Sequence, residues 1–367
     1  MAEGREAAER YRSRVRGCLL GGAVGDALGA PVEFRTLDGI RAEHGPAGVR
    51  DYAGGTAPGY GRITDDTQMT LWTVEGLIRA RNGDRGPGFD PVPAVHDAYL
   101  RWYRTQCSRE PVWEPSGWLQ GRAWLYARRA PGNTCLGALG EAGNGAQGRG
   151  ERAANDSKGC GGVMRSAPFG LLPAGHGDDD VFDWAERAAG LTHGHPTGSL
   201  ASGALALLVR RLVEGDELDA ALDAVLAALA RRPGHEETTR ALEAARAAAG
   251  GGAVSAETVE SLGGGWVAEE ALAIAVYAAL AHPGPEEFAD ALALSVTHSG
   301  DSDSTGAVCG NILGALHGET ALPPLLAPWV EGRGDLLELA DDLVWAFAPG
   351  SGPLRASPRW LERYPAD

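Results

Sequence analysis

Residues 16–29 read RGCLLGGAVGDALG, and this stretch carries the strongest fold signal in the sequence. Its glycines recur every four residues, which places them on one face of a helix. They are Gly17, Gly21, Gly25 and Gly29. A second row with the same spacing consists of Gly306, Gly310 and Gly314. Because a glycine costs about 1 kcal/mol in a helix interior, each row needs a compensating interaction. Close backbone contact between two buried helices is the simplest one.

Helical hydrophobic spacing also covers much of the remaining chain. Four segments show it clearly, and short Pro- and Gly-containing breaks separate them. They are residues 205–213, 218–229, 269–281 and 286–296. Runs with the period of a β-strand are few, which disfavours a dinucleotide-binding loop at residues 21–29, since that loop follows a strand. Long helical patterns with short breaks predict an α-helical bundle.

The charge balance limits the classes of partner. The chain has 367 residues with 33 basic and 49 acidic side chains, a formal net charge of −16 at pH 7. This excess argues against a broad nucleic-acid-binding face and against a membrane-surface protein, since both need clustered Lys and Arg. It does not exclude a small anionic ligand, because a local site can oppose the overall field. The length allows one large domain or two ordinary ones.

The cysteines and the N-terminal residues indicate the compartment. Five widely spaced cysteines without a CxxC pair argue against a disulfide framework or a zinc–thiolate site. Residues 1–16 are polar and charged, without the apolar core of a signal peptide. The longest apolar stretches, such as residues 271–281, are too short to span a bilayer. We therefore expect a cytoplasmic protein without membrane contact.

Two segments combine acidic and hydroxyl residues. Residues 63–69 read ITDDTQM, and residues 297–306 read THSGDSDSTG. Each can be the capped start of a helix, whose first-turn carboxylates the helix dipole favours. Each can also supply oxygen ligands for Mg²⁺, Mn²⁺ or Ca²⁺, and the two interpretations are compatible. An EF-hand is excluded, since Ile312 stands at position 12 of such a loop counted from Asp301.

Two further segments point to a ligand. Residues 155–165 read NDSKGCGGVMR, in which three glycines near Ser157 and Lys158 can expose backbone N–H groups to a phosphate. A plain turn is the alternative. Residues 191–198 read LTHGHPTG, where His193 and His195 can hydrogen-bond a substrate, fill a structural role or, with a third ligand, hold a metal.

Taken in their order along the chain, these segments resemble the ADP-ribosylglycohydrolase family. Residues 16–34, RGCLLGGAVGDALGAPVEF, and residues 263–272, GGGWVAEEAL, extend the resemblance, which runs from about Tyr11 to Gly318. It implies an all-α fold, a compact orthogonal helical bundle around a dinuclear metal site. We expect a single domain over residues 1–367, with its core at about 11–318 and residues 319–367 as a C-terminal helical extension packed on it.

The resemblance also implies roles for residues of this chain. The implied ligands of two divalent cations, Mg²⁺ or Mn²⁺, are Thr64, Asp65, Asp66, Asp301, Asp303 and Ser304. The family often has Thr in place of Ser304, so the hydroxyl is kept. The implied proton donors and acceptors are Glu33, Asp66 and Asp301. The implied contacts to the substrate are Ser157, Lys158, Gly159 and His193. Cys160 stands where other members can carry Asn.

The implied activity is hydrolysis of the bond between ribose C1″ and the group attached to it, with release of ADP-ribose. The substrate is expected to be an ADP-ribosylated protein, modified for example on arginine, or a small-molecule ADP-ribose conjugate, and the protein is expected to be a monomer. The alternative is a non-catalytic relative that binds ADP-ribose or has a structural role. Such a relative should have lost acidic ligands, and none is missing here.

Three points stay open in the sequence. No fixed motif identifies the linkage that is cleaved or decides between Mg²⁺ and Mn²⁺. The loop of residues 34–62 is either a mobile lid or a plain surface loop. Four tryptophans either stack on adenine or pack in the core. They are Trp102, Trp113, Trp118 and Trp124.

Overall fold

Helices make up nearly all of the fold. The computed structural model describes residues 2–53, 60–83, 88–111, 116–173 and 175–365. Within these ranges there is no β-strand, and isolated bridges join Gly61 with Val330 and Gly159 with Val267. The all-α prediction is therefore confirmed. None of the helices in these ranges combines the length and apolar character that crossing a membrane requires.

The α-helices, in chain order, are α1 (Ala2–Gly29), α2 (Leu37–His44), α3 (Asp65–Gly83), α4 (Val92–Cys107), α5 (Asn133–Gly143), α6 (Ala167–Gly170), α7 (Asp178–Gly190), α8 (Pro196–Glu214), α9 (Leu218–Leu229), α10 (Glu236–Gly251), α11 (Ala256–Ser261), α12 (Ala268–Ala281), α13 (Phe288–Val296), α14 (Ser302–His317), α15 (Arg333–Phe347), α16 (Gly352–Arg355) and α17 (Pro358–Arg363). Short 3₁₀ helices lie at Leu119–Gly121, Ala123–Tyr126, Val163–Arg165, Pro285–Glu287, Glu319–Ala321 and Ala327–Trp329.

Helices α1 and α14 pack along each other through the two glycine rows. The contacting pairs are Gly17–Gly314, Gly21–Gly310 and Gly25–Gly306. Because the numbers rise on one helix as they fall on the other, the two helices are antiparallel. A Cβ added at Gly17 would lie 2.5 Å from the carbonyl oxygen of Gly314, which is closer than real Cβ atoms approach. The predicted backbone contact between buried helices is thus confirmed, and glycine is required for it.

The other predicted helices are found with small changes of boundary. Residues 205–213 lie within α8, residues 218–229 form α9, and residues 269–281 and 286–296 correspond to α12 and α13 with its preceding 3₁₀ turn. Both acidic segments are capped helix starts. Thr64 Oγ1 accepts the backbone N–H of Asp66 at 3.3 Å before α3. Asp301 Oδ1 accepts the backbone N–H of Ser304 at 3.3 Å at the start of α14.

The prediction of a loop over residues 34–62 is wrong for part of the segment, because α2 lies within it. Leu37 and Ile40, spaced by three, bury one side of this short helix. The segment is also tied to the turn before α14, since the N–H of Leu37 donates to Ser299 Oγ at 2.8 Å. Residues 54–59 lie outside the described residues. A movement of the segment as a lid stays a prediction.

Three of the four tryptophans lie in the described residues and pack within the fold, as one of the two interpretations predicted. Trp102 is fully buried, and its Nε1 donates to Gln68 Oε1 at 3.1 Å. Trp124 Nε1 donates to Asp335 Oδ2 at 2.8 Å. The Trp118 ring lies 3.7 Å from the guanidinium carbon of Arg363. Trp113 lies outside the described residues.

Helix α15 joins the C-terminal residues to the core by packing on α1 and α3. Arg12 and Arg16 of α1 each donate two hydrogen bonds to the carboxylate of Asp341. This contact is what a packed C-terminal extension requires. The division of the chain at about residue 318 stays a prediction.

Candidate active site

The end of α1 and the starts of α3 and α14 meet at one cavity. Its volume is about 320 Å³, and both acidic segments contribute to its walls. The lining residues are Glu33, Phe34, Asp65, Asp66, residues 130–135, residues 159–161, Met164, His193, Trp266, Asp301, Asp303 and Ser304. A larger cavity of about 600 Å³ lies between α15 and α17, but its two carboxylates are paired with Arg363. Converging, unpaired acids make the smaller cavity the candidate active site.

Asp26 of α1 fixes the start of α3. Its carboxylate is fully buried and accepts hydrogen bonds from the backbone N–H and the hydroxyl of both Thr64 and Thr67. The two bonds from Thr64 are 3.0 and 2.9 Å long. Burial nevertheless raises the pKa of Asp26 to about 6. These bonds position Asp65 and Asp66, which lie between the two threonines. Asp26 is absent from the site residues predicted from the sequence, although an acid within an apolar, glycine-rich helix is a signal.

Asp26→Asn should weaken the binding of divalent cations to this cavity roughly 10- to 100-fold, since changes to groups that orient metal ligands have effects of this size. Asparagine keeps one acceptor oxygen, but its NH₂ group would face the N–H and O–H groups of Thr64 and Thr67 that now donate to Asp26. Isothermal titration with Mn²⁺ measures the change. Asp38→Asn, on the exposed side of α2, is the matched control. Wild-type affinity in Asp26→Asn contradicts the positioning role.

Five carboxylates face the cavity in close proximity. They belong to Glu33, Asp65, Asp66, Asp301 and Asp303. Burial raises the pKa of Glu33 and of Asp65 to about 8, and the negative charge of neighbouring acids contributes to this rise. The same causes hold the pKa of Asp66 and of Asp303 well above the usual range. Without a cation, burial and like charge thus favour the protonated forms of Glu33, Asp65, Asp66 and Asp303, so the cavity is suited to receive positive charge.

The donor set fits hard divalent cations. Carboxylate oxygens of Glu33, Asp301 and Asp303 lie within 4.8 Å of one another. Asp66 Oδ2 is buried without a hydrogen-bond partner, and a buried acceptor in that state is unfavourable unless a proton or a cation meets it. Carboxylate and hydroxyl oxygens are the ligands that Mg²⁺ and Mn²⁺ prefer. Of the six predicted ligands, Thr64 alone does not line the cavity, and its hydroxyl donates to Asp26.

The stability of the metal-free protein should fall as the pH rises from about 5 to about 8. The folded state keeps the protons of Glu33 and Asp65 up to a pKa of about 8, whereas the unfolded chain loses them near the ordinary values. In this interval unfolding releases protons, so a higher pH favours unfolding. The rise in melting temperature produced by Mn²⁺ should therefore grow over the same interval. Thermal melts with Mn²⁺ or with chelator measure it, and a rise that is constant with pH contradicts the expectation.

The glycine-rich segment 155–165 forms one wall. Gly159 lines the cavity, and the backbone N–H of Cys160 donates to the carbonyl of Trp266 at 3.1 Å, which holds this wall against the start of α12. Ser157 and Lys158 do not line the cavity. Lys158 Nζ pairs with Glu237 of α10 at 2.8 Å and with Glu269 of α12. The side chain thus ties the segment to two helices, and its assignment as a substrate contact stays a prediction.

His193 lies beside this glycine-rich wall, because a Cβ added at Gly159 would be only 3.4 Å from His193 Nε2. The buried guanidinium group of Arg165 lies behind the imidazole. Arg165 Nη2 donates to Thr192 Oγ1 at 2.7 Å, and that hydroxyl oxygen lies 2.8 Å from His193 Nδ1. Burial and then the charge of Arg165 lower the pKa of His193 to about 3, so the imidazole is neutral. A neutral imidazole can donate one hydrogen bond and accept another. His195 has a structural role, since its Nδ1 accepts the N–H of Thr197 at 3.2 Å at the start of α8.

An aromatic pair flanks the cavity beside Glu33. Phe34 is 74 % exposed, and its ring stacks on that of Trp266 with 5.4 Å between centroids. The backbone of Phe34 has a φ of +61°, which is uncommon for a bulky residue. Such a conformation persists only where the surroundings hold it, and it is frequent at functional sites. Phe34 and Trp266 are absent from the predicted site residues, although they lie in segments 16–34 and 263–272, which carry the family resemblance.

Residues 130–135 also line the cavity and were missed. The backbone N–H of Gly132 donates to Asp65 Oδ2 at 3.2 Å, so this segment orients one of the five acids. Its residues are neutral or apolar along the cavity side, and nothing in their spacing indicates chemistry. Only the folded arrangement brings them to the site.

Comparisons with known proteins identify the family of this chain. Residues 7–351 match the ADP-ribosylglycohydrolase family. The chain is 26 % identical to the ADP-ribosyl-(dinitrogen reductase) glycohydrolase of Rhodospirillum rubrum, over 84 % of this chain and 87 % of that protein. It is 27 % identical to the ADP-ribosylhydrolase ARH3 of Bos taurus, over 93 % of this chain and 94 % of that protein. A solved structure described as an ADP-ribosylglycohydrolase-related protein complex is 29 % identical, with a TM-score of 0.63, and the match covers 93 % of this chain and all of that one. The protein therefore belongs to the ADP-ribosylglycohydrolase family.

Proposed function

We propose that this protein is a metal-dependent hydrolase that cleaves the ribose C1″ bond of an ADP-ribosylated target and releases ADP-ribose. One observation carries the proposal, namely the five carboxylates that converge on the cavity, four of which have raised pKa values. A buried cluster of this kind is unfavourable as a structural element, and it suits cations. The names of the two relatives above, a glycohydrolase and an ADP-ribosylhydrolase, support the same class of reaction.

The acidic segments would hold two divalent cations, Mg²⁺ or Mn²⁺. Thr64, Asp65 and Asp66 would bind one of them, and Asp301, Asp303 and Ser304 the other. Such cations, when bound, supply positive charge for the vicinal ribose hydroxyls and lower the pKa of water. The chain's own contribution is to fix the ligands. Asp26 holds the start of α3, and the N–H of Ser304 donates to Asp303 Oδ1 at 3.0 Å.

Glu33 would handle the proton of the leaving group. Its carboxyl is partly buried and reaches Asp301 and Asp303, while Phe34 next to it is exposed at the edge of the cavity. A carboxyl whose pKa is near neutrality can donate a proton to a leaving group and accept one from water, as the acid of a glycosidase does. Asp66 and Asp301 are the further acids proposed to accept a proton.

The diphosphate would lie against the wall at Gly159, with the neutral imidazole of His193 next to it. Ser157 and Lys158 are proposed to support that wall from outside the cavity. Because the cavity is acidic, cations must neutralise it before an anionic ligand such as ADP-ribose can enter. ADP-ribose binding should therefore depend on prior metal binding.

The second candidate is a non-catalytic relative that binds ADP-ribose or has a structural role. All five carboxylates are present and face one cavity, so the catalytic proposal is favoured. The linkage that is cleaved, on arginine or on another target, depends on the residues around the cavity edge rather than on the acids.

A substrate panel tests the proposal. It comprises peptides ADP-ribosylated on arginine or serine, an ADP-ribosylated nucleotide and O-acetyl-ADP-ribose, each with Mg²⁺, Mn²⁺ or chelator. We expect release of ADP-ribose from at least one substrate, loss of release with chelator, and recovery when metal is added back. Release that chelator leaves unchanged contradicts the role of the metals. Binding of ADP-ribose without release from any substrate supports the non-catalytic alternative.

A further inference from the structure

Two sulfur atoms stand on the cavity wall beside the acidic cluster, and the proposed function uses neither. They belong to Cys160 and Met164, which both line the cavity. Cys160 lies in the segment that the backbone fixes against Trp266, so the position of its thiol does not depend on a free loop. Met164 is 3 % exposed and lies one helical turn farther along the chain.

The sulfurs lie close to oxygen atoms of the proposed metal ligands. Cys160 Sγ lies 2.8 Å from Asp301 Oδ2, to which the thiol donates its proton. Ser304 Oγ lies 3.7 Å from Cys160 Sγ and 4.0 Å from Met164 Sδ. With metal–sulfur bonds near 2.3 Å and metal–oxygen bonds near 2.0 Å, neighbouring ligands of a tetrahedral cation are about 3.5 Å apart. The separation between Cys160 and Asp301 is shorter than this value, and the two separations from Ser304 Oγ are slightly longer.

A second observation indicates a ligand at the same place. Asp66 is 3 % exposed, lines the cavity and leaves Oδ2 without a hydrogen-bond partner. Its nearest charged neighbours include Asp65 and Asp301, all of the same sign, so a cation rather than an anion satisfies it.

We propose that Cys160 and Met164 extend the acidic cluster into a mixed oxygen–sulfur site that binds a thiophilic divalent cation, such as Cd²⁺, Co²⁺ or Zn²⁺, with Cys160 as a thiolate ligand. The cation takes the place of the thiol proton that Cys160 now donates to Asp301, and that proton passes to the solvent. Sulfur ligands favour such cations over Mg²⁺ and Mn²⁺. The site would overlap the one proposed for the catalytic cations, so the two kinds of cation would compete. This inference rests on the metal cluster of the proposed function.

Spectroscopic titration of the full-length, metal-free protein tests the inference. Co²⁺ and Cd²⁺ bound to a thiolate give a sulfur-to-metal charge-transfer absorption that oxygen ligands do not give. We expect the band in the wild type and its loss in Cys160→Ser. The Cd²⁺ affinity of that variant should fall at least about tenfold, and the Mn²⁺ affinity should fall less. Cys135→Ser, which changes another cavity thiol, and Cys107→Ser, which changes the exposed one, are matched controls that should keep the band.

Each further outcome has a distinct meaning. Retention of the band in Cys160→Ser, or its absence from a wild type that binds both Mn²⁺ and Cd²⁺, overturns the thiolate ligand and leaves the proposed function standing. Failure of the wild type to bind any of the cations overturns both proposals. Mn²⁺ binding by Cys160→Ser shows that this variant is folded. Met164→Leu provides a second variant, for which we expect a weaker Cd²⁺ affinity with the band retained.

Discussion

Gly25→Ala should destabilise the protein by about 3 kcal/mol or more. The new Cβ would overlap the carbonyl oxygen of Gly306, which is backbone and cannot rotate away. Overpacking of a well-packed core costs typically 1–3 kcal/mol, and separating two helix backbones along their length adds to it. The higher helix propensity of alanine offsets only about 1 kcal/mol. Urea unfolding followed by circular dichroism measures the change in midpoint.

Gly4→Ala is the control for this substitution, because it changes the same residue type in the same helix. A Cβ at Gly4 meets no atom within 4 Å. That variant should be unchanged or more stable, by up to about 1 kcal/mol. If Gly25→Ala unfolds at the same urea concentration as the wild type, the contact between α1 and α14 is looser than the structure indicates.

Asp303→Asn should lower kcat/KM for ADP-ribose release by roughly 10³-fold or more. Asp303 is buried, lines the cavity and shares an oxygen cluster with Glu33 and Asp301. Weaker binding of the cations removes several kcal/mol of transition-state charge stabilisation, and each 1.36 kcal/mol corresponds to a factor of ten in rate. The rate of ADP-ribose release from the best substrate of the panel measures the fall in kcat/KM. Titration with Mn²⁺ measures the accompanying loss of metal affinity.

The same substitution should leave the metal-free fold intact. The pKa of Asp303 is held well above its usual range by burial and by Asp66, so the metal-free fold favours the neutral form of the carboxyl, for which the neutral side chain of asparagine is a close substitute. Asp290→Asn is the matched control, since that carboxylate is 44 % exposed, pairs with Arg50 and does not line the cavity. Turnover by Asp303→Asn at the wild-type rate contradicts the catalytic proposal. Loss of turnover together with loss of the fold requires the unfolding data to separate the two effects.

The sequence predicts the central helix pair well because the evidence is local. A period of four and the absence of side chains are both visible in residues 16–29 and 306–314, and they specify which faces meet. The short helix α2 is missed because its local evidence is too weak. With only Leu37 and Ile40 on its buried side, it has too few turns for a period to stand out.

The candidate site is predictable where residues adjacent in sequence act together, and less so where distant ones do. The acidic pairs at residues 65–66 and 301–303 are recognisable as they stand, and they do converge on one cavity. The role of Asp26 depends on Thr64, 38 positions away, and that of Lys158 on Glu269, 111 positions away. Such pairings depend on tertiary packing, which a single sequence does not encode in its spacing.

The pairing of α1 with α14 has a consequence for synthesis of the protein. Asn311 Nδ2 donates to the carbonyl of Cys18 at 2.8 Å across 293 positions of sequence. At about 5–20 residues per second, a ribosome needs about 15 to 60 s to make the intervening chain. During that time the glycine face of α1 has no partner, and the carboxylates at the start of α3 lack their counterparts from α14. The acidic pocket is therefore assembled late in translation, and an interrupted chain carries only half of it.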